Sequence, residues 1–367
     1  MSIRGTTGRL LVGLTSVVLL GGCAAGASPT PAPASPTPTS VPSVAAATPP
    51  PSPAATAPAA PTPTPAPTPS VVVTSDVAYE SANPVLTPGV LDVYAPAKAG
   101  PWPVVVMLHG GGNNKGDLSE HARKVADLGF VVFSATWGAG GVGSTGLPSY
   151  EQLLAAQSQS ACAVAFARAH AAEYGGDPAT LIVFGHSAGA NMGASVAFAR
   201  PEPTAGCLGG TTLGAIDALV TWDGDWLLQP TNIDWDGRLA ADPKFLDALT
   251  PLKVLAEHKD LKVVMLVSEH PYSDINPDRP LPDPEAADAF FAPRDPTGVL
   301  RRQLEANGAL ADGNLDLAEA QGLLFSVLEA QGNPVSLDVL PGSNHISLSD
   351  AGWKVFLAAF PKAAAKD

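Results

Sequence analysis

The sequence predicts a domain of the α/β class, in which a mostly parallel central sheet carries helices on both faces. Short apolar runs typical of buried strands alternate with helical segments through the last ~290 residues, a length that suits one domain. One such run, Leu181–Phe184, leads directly into a helix of small residues that extends from Ala188 to about Ala199. No internal repeat is evident, so the whole segment is expected to fold around one sheet.

Residues 1–22 have the features of a lipoprotein-type signal peptide. Arg4 and Arg9 supply a basic start, and residues 10–20 form an apolar segment that is too short to span a bilayer. The sequence Leu-Gly-Gly-Cys at residues 20–23 resembles a bacterial lipobox. That resemblance implies that Cys23 carries lipid and becomes the mature N-terminus, which anchors the protein to the membrane outside the cytoplasm, at the cell surface or in the periplasm. The alternative is an ordinary signal peptide cleaved within residues 23–27.

Residues 23–70 are predicted to be a disordered spacer. Beyond Cys23 they consist almost entirely of proline, alanine, threonine and serine, without a charged or aromatic residue. Such a composition cannot bury a core, and a proline-rich chain is semi-rigid and extended at roughly 3.1 Å per residue. The spacer can therefore hold a following domain on the order of 100 Å from the membrane. Whether its threonines and serines carry sugars is left open. The remaining residues, 71–367, are predicted to form the folded α/β domain.

A glycine-rich loop follows the strand predicted at Pro103–Leu108. It has the sequence His-Gly-Gly-Gly at residues 109–112. Glycine allows the backbone to approach a ligand closely, and backbone N–H groups in such a loop can stabilise a developing negative charge. The alternative is a plain glycine-rich turn. The position of the loop after an earlier strand, about 76 residues before a second motif, favours the functional interpretation.

The second motif is G-x-S-x-G at residues 185–189, placed between the predicted strand Leu181–Phe184 and the helix that begins at Ala188. This context is typical of a nucleophile elbow, in which a sharp turn lifts the serine hydroxyl above the edge of the sheet. We expect Ser187 to have strained backbone angles. We also expect side chains at Gly185 and Gly189 to collide with the neighbouring strand and helix. The alternative is an ordinary turn with a capping serine.

His345 is the candidate general base. It lies in a loop at residues 341–345, between a predicted last strand at residues 335–340 and a predicted last helix at Leu348–Phe360. A histidine at such a handover between strand and helix can reach a serine at the same edge of the sheet.

The acid that would complete a triad is less well defined. Three carboxylates, Glu269, Asp274 and Asp278, follow the strand predicted at residues 261–267. We favour Asp274, because a carboxylate several residues beyond the strand end best reaches a histidine on the next loop. Glu269 is so close to the strand that it can instead brace the loop, and Asp278 lies in a turn-like sequence. Asp223 and Asp225, after an earlier strand at residues 217–222, are outside candidates.

Together, these motifs resemble the α/β-hydrolase superfamily, specifically its HGGG-type carboxylesterase-like branch. The resemblance covers about residues 90–360 and includes the helix at residues 162–168 and the turn at residues 174–178. It implies the α/β-hydrolase fold, a nucleophile at Ser187, a base at His345, and oxyanion donors at Gly111, Gly112 and Ala188. Many relatives have an aromatic residue after the triple glycine. This chain has Asn-Asn-Lys at residues 113–115 instead, which predicts a more polar pocket.

Two cysteines, Cys162 and Cys207, remain once Cys23 is set aside. They flank the elbow unit, and an even pair outside the cytoplasm indicates a disulfide, with two buried thiols as the alternative. The net charge of −14 without a basic patch argues against nucleic acid as a partner. No P-loop or G-x-G-x-x-G follows a strand, and the seven histidines are scattered without H-E-x-x-H, so neither a cofactor nor a metal is predicted.

The sequence therefore predicts an extracytoplasmic, lipid-anchored serine hydrolase that cleaves a small-molecule or polymeric carboxylic ester through an acyl-enzyme. A peptidase or acyltransferase with the same triad is one alternative, and a surface binding protein that has lost turnover is another. An insertion at residues 222–236 contains three of the six tryptophans, and it either shapes the pocket or forms a local apolar cluster. The acyl group, the alcohol group and the oligomeric state are left open.

Overall fold

An eight-stranded sheet forms the centre of the described structure. In this computed structural model the described residues are 70–139, 148–224, 251–270, 317–347 and 349–360. All of them belong to the second of two units into which the chain divides, residues 65–367. The strands are β1 (Val71–Ala78), β2 (Val90–Pro96), β3 (Trp102–Leu108), β4 (Val131–Ala135), β5 (Gly176–His186), β6 (Ala218–Trp222), β7 (Lys262–His270) and β8 (Val335–Asn344).

The strand order is β1-β2-β4-β3-β5-β6-β7-β8. β2 runs antiparallel to both β1 and β4, and the six strands β4, β3, β5, β6, β7 and β8 are mutually parallel. The central strands are buried on both faces, which explains why they are continuous apolar runs in the sequence. The prediction of a mostly parallel sheet is confirmed.

Helices cover both faces of this sheet. They are α1 (Ser119–Asp127), α2 (Tyr150–His170), α3 (Ala188–Ala194), α4 (Leu317–Gln331) and α5 (Asp350–Ala359). Successive strand residues point to opposite faces, so Val104 and Val106 pack in the core with α2, α3 and α4, whereas Val105 and Met107 pack with α1 and α5.

Several element boundaries differ from the sequence-based prediction; the last helix, for example, is Asp350–Ala359 and not Leu348–Phe360. β8 continues through residues 341–344, which were expected to be loop, and β7 continues through Glu269 and His270. Asn344 pairs with His270 beyond a local irregularity in the register, and this pairing extends both strands. Pro341 is tolerated because β8 is the last strand in the sheet order, where a missing N–H need not break a ladder. The small-residue helix is α3 only to Ala194, and residues 195–199 form a wider π-helical turn.

Among the described residues, no helix combines the length and apolar character needed to cross a membrane. Residues 1–69, which contain the predicted signal peptide and most of the spacer, lie outside that description.

Candidate active site

Ser187 occupies a sharp turn between β5 and α3. Its φ of 53° and ψ of −124° lie in a region that residues other than glycine rarely adopt. A Cβ on Gly185 would lie 2.2 Å from the carbonyl oxygen of Gly189, and one on Gly189 would lie 2.2 Å from that of Leu108. The predicted strained turn and the requirement for both glycines are therefore confirmed, and the backbone has the geometry of a nucleophile elbow.

The His-Gly-Gly-Gly loop lies directly against this elbow. It follows β3, which pairs in parallel with β5, so both strands end at the same edge of the sheet. A Cβ on Gly110 would lie 3.4 Å from the Cβ of Ser187, and one on Gly111 would lie 3.4 Å from the Cβ of Ala188. Gly112 has a φ of 76°, a conformation that favours glycine. The loop thus brings its backbone close to the serine and to the first turn of α3.

His109 fixes the start of this loop. Its Nδ1 donates to the carbonyl of Gly110 at 2.7 Å, and its Nε2 accepts from the backbone N–H of Trp137 at 3.2 Å. The indole of Trp137 donates to the carbonyl of His109 at 3.1 Å and stacks on the imidazole. Burial lowers the pKa of His109 to about 4, so the ring is neutral and serves as an anchor for the loop.

His345 lies immediately after β8, and its Nδ1 is 3.3 Å from Oδ2 of Asp223. Asp223 follows β6 and is fully buried. Its Oδ1 accepts from the backbone N–H of Ser268 at 2.7 Å, and its own N–H donates to the carbonyl of Leu266 at 3.0 Å. Both neighbours belong to β7, which therefore holds this carboxylate in place under the imidazole.

The carboxylate beside His345 is thus one of the two outside candidates from the sequence. Asp274, the favoured acid, lies outside the described residues together with Asp225 and Asp278, so their positions relative to His345 are not tested. Glu269 was expected in a loop and instead lies in β7.

Ser187 and His345 lie in the wall of one cavity of about 380 Å³. It is lined by Ser187 and His345, by residues of the glycine loop and of the turn that follows it, and by residues from the elbow, α1, the end of β6 and the turn after β8: Gly110, Gly111, Asn113, Asp117, Leu118, His121, His186, Trp222 and Ile346. Asn113 is part of the wall, in agreement with the polar pocket expected there. Trp222, at the start of the tryptophan-rich insertion, also lines it, whereas Trp226 and Trp235 lie outside the described residues.

Sequence reasoning missed two histidines of this cavity. His121 lies on α1, and its ring packs between Trp222 and Trp353 at centroid distances of 5.3 and 5.4 Å. His186 is the variable residue before Ser187. The available signal for His121 was its place in the short segment that follows the glycine loop, since that segment must stay near the same sheet edge. The motif G-x-S-x-G gives no expectation for its first variable position.

Cys162 of α2 and Cys207 form a disulfide, with their Cα atoms 5.4 Å apart. The predicted pairing is confirmed, and it ties α2 to the segment that follows α3. No cluster of three or more potential metal ligands is found within the described ranges.

Known proteins to which this chain is similar include proteins named as esterases. Residues 91–208 match the BD-FAE family model, a span that contains the glycine loop and the elbow but ends before Asp223 and His345. Gut esterase 1 of Caenorhabditis elegans is 32% identical over 107 residues, which are 27% of this chain and 19% of that protein. The match therefore spans less than a fifth of this curated relative.

Two solved structures have the same fold. Esterase B from Lactobacillus Rhamnosis has a TM-score of 0.52 at 14% identity, over 79% of this chain and 84% of its own. The bifunctional GH43-CE protein of Bacteroides eggerthii has a TM-score of 0.51 at 19% identity, over 78% of this chain and 37% of its own. With the sheet order and the helices on both faces, these similarities show that the chain has the α/β-hydrolase fold, and within it residues 91–208 match the BD-FAE family.

Proposed function

We propose that this protein is a serine hydrolase that cleaves carboxylic esters, with Ser187 as nucleophile, His345 as general base and Asp223 as the acid. One observation carries the proposal. Ser187, on a strained elbow, shares a cavity with His345, whose Nδ1 is held by the fully buried carboxylate of Asp223. The chain order serine, acid, histidine is the order typical of this fold.

The geometry supports a two-step mechanism. With its Nδ1–H donated to Asp223, the imidazole of His345 acts as the base through its Nε2 lone pair, which takes the proton of the Ser187 hydroxyl. The serine oxygen attacks the ester carbonyl, and the tetrahedral oxyanion is stabilised by backbone N–H groups of Gly111, Gly112 and Ala188. His345 then gives the proton to the departing alcohol. In the second step it activates the water that releases the acid.

The similarities support esters as the substrate class. The BD-FAE model covers the elbow and the glycine loop, and both Gut esterase 1 and Esterase B are named for ester hydrolysis. A peptidase or an acyltransferase would use the same triad. A peptidase is distinguished by its cleavage of amide bonds, and an acyltransferase by the transfer of the acyl group to an added alcohol, whereas an esterase passes the acyl group of an ester to water.

The test is hydrolysis of a series of p-nitrophenyl esters of increasing acyl length by the wild type and by Ser187→Ala. We expect the variant to fold and to lose a factor on the order of 10⁴ or more in kcat/KM, because only binding and the oxyanion donors remain. A fluorophosphonate probe should label the wild type and leave the variant unlabelled. Ser81→Ala is the matched control, since this exposed serine does not line the cavity. Near-wild-type turnover by Ser187→Ala would refute the proposed function.

We also propose that the enzyme acts outside the cytoplasm, anchored by lipid on Cys23 and held away from the membrane by the proline-rich spacer. The support is the signal-like segment at residues 1–22 and the composition of residues 24–70. Expressed in a bacterium that processes lipoproteins, the wild type should fractionate with membranes and Cys23→Ser should not. Equal solubility of both forms, with a mature N-terminus beyond Cys23, would indicate simple secretion and would leave the ester-hydrolase proposal untouched.

A further inference from the structure

His186, the residue before the proposed nucleophile, contacts the other parts of the site. Its side chain is buried, and its ring lies between those of Trp222 and His345, at centroid distances of 4.2 and 4.7 Å. A Cβ on Gly110 would lie 3.3 Å from its Nδ1, so the glycine loop passes along this edge of the ring. One imidazole therefore joins the elbow, the glycine loop, the residue before Asp223 and the proposed base.

The hydrogen bond of this ring has a defined direction. Nε2 of His186 lies 2.7 Å from the carbonyl oxygen of His345. A carbonyl only accepts, so Nε2 carries a proton and donates it. Burial, together with the adjacent His345, lowers the pKa of His186 to about 3. The ring is therefore neutral at ordinary working pH and is fixed in the Nε2–H tautomer, with Nδ1 bare.

The backbone that receives this bond belongs to a surface turn. His345 follows the end of β8, and the turn is closed by the N–H groups of Ile346 and Ser347, which donate to the side chain of Asn344. Ile346 is 76% exposed. The contact from His186 ties this turn to the interior of the protein at the residue whose side chain must stay aligned between Asp223 and Ser187.

We propose that His186 is a positioning residue, whose Nε2–H holds the main chain of His345 so that its imidazole meets Asp223 on one side and Ser187 on the other. This inference rests on the proposed ester hydrolysis. A side chain that fixes the base without touching substrate should act on the chemical step more than on binding. A small displacement of a catalytic group costs up to about 10²-fold in rate, even when the mutated residue lies away from the reacting atoms.

Two substitutions separate this role from packing. His186→Phe keeps a planar ring between Trp222 and His345 but removes the donor, whereas His186→Gln keeps an N–H donor at a similar distance. We expect the Phe variant to lose roughly 10- to 100-fold in kcat with KM changed less than about threefold. We expect the Gln variant to regain most of that loss. His170→Gln is the control, because this histidine contacts Glu173 at the end of α2 and does not line the cavity.

The outcomes are distinct from those of the proposed function. If Ser187→Ala abolishes hydrolysis while His186→Phe keeps the wild-type kcat, only this inference is overturned. Equal losses in the Phe and Gln variants, matched by equal losses of thermal stability, would show a packing role and would also overturn it. If Ser187→Ala retains activity, both proposals fall together.

Nuclear magnetic resonance of the wild type, with ¹⁵N-labelled histidine, gives a test that needs no variant. We expect His186 to show a protonated Nε2 and a bare Nδ1 throughout pH 5 to 9. A protonated Nδ1 with a bare Nε2 would contradict the proposed hydrogen bond.

Discussion

Two buried carboxylates, Asp223 and Glu80, show how similar burial leads to different roles. Glu80 follows β1 and is 2% exposed, whereas Asp223 follows β6 and is 0% exposed. Glu80 accepts hydrogen bonds from the amide of Asn83 at 2.9 Å, from the backbone of Gly89 at 2.9 Å and from the amide of Gln159 at 2.6 Å. All three donors are neutral groups that do not titrate.

Asp223 is also buried but has different hydrogen-bond partners. One oxygen accepts from the backbone of Ser268, and the other faces the imidazole of His345, which lines the cavity with Ser187. A buried carboxylate needs donors in either case, because an unpaired charge in the interior is costly. The difference is that an imidazole can take up and release a proton beside a substrate. The partner, and not the burial, makes one acid a candidate for catalysis.

The largest expected effect separates the two acids directly. Asp223→Asn should lose about 10³- to 10⁴-fold in kcat/KM, because His345 would lose the acceptor that selects its tautomer and stabilises its charged form. The measurement is ester hydrolysis across a range of substrate concentrations. Asp274→Asn serves as the comparison, since the sequence favoured that residue. If Asp274→Asn loses activity and Asp223→Asn does not, the acid is Asp274 and the rest of the triad stands.

The disulfide, which lies beside Glu80, should raise the free energy of unfolding without changing kcat. Cys207 forms an isolated antiparallel bridge with Glu80, and the bond to Cys162 closes a loop over a separation of 45 residues. In the chain-entropy model a loop of this length stabilises by about 4 kcal/mol. The double variant Cys162→Ala with Cys207→Ala should therefore unfold at lower urea concentration, with kcat unchanged at a temperature where it is folded. Two free thiols in the native, alkylated wild type would contradict the pairing.

Acid should lower the free energy of unfolding through the buried, neutral imidazole of His109. Burial lowers the pKa of His109 to about 4, so this imidazole binds its proton at a lower pH in the folded state than in the unfolded state. The free energy of unfolding therefore keeps its full value above about pH 6.5. It falls by roughly 3 kcal/mol in total as the pH drops from about 6.5 towards 4. Urea unfolding between pH 7.5 and 4.5 measures this fall. His109→Phe should reduce the slope, and an unchanged slope would argue against a neutral buried ring.

The smallest expected effect is on Glu80 itself. Glu80→Gln replaces a charged acceptor of three hydrogen bonds with an amide and should lower the free energy of unfolding by about 1–3 kcal/mol. Because none of the three donors lines the cavity, kcat should stay at the wild-type value. Thermal unfolding and ester hydrolysis of the same preparation check both halves. A loss of kcat comparable to that of Asp223→Asn would remove the distinction between the two acids.

The sequence by itself determined the parts of the site that depend on neighbouring residues. The strand, the strained Ser187 and the helix lie within some twenty residues, and the glycine at position 185 is required by a backbone contact inside that unit, whereas Gly189 is required by its contact with Leu108 of β3. The glycine loop could be predicted for the same reason, since it follows directly from an apolar strand. The disulfide could be predicted because only two cysteines remained beside Cys23.

The tertiary structure decided which groups meet across the sheet. Asp223 and His345 are 122 positions apart, and they come together because β6, β7 and β8 are neighbours in register. Loop length in the sequence favoured Asp274, which lies outside the described residues, and loop length carries no information on the register that brings Asp223 to His345. The same pairing extends β7 through His270 and β8 through Asn344, which sets the start of the turn that holds His345. The bond from His186 to that turn also depends on contacts between distant strands, and no local pattern encodes them.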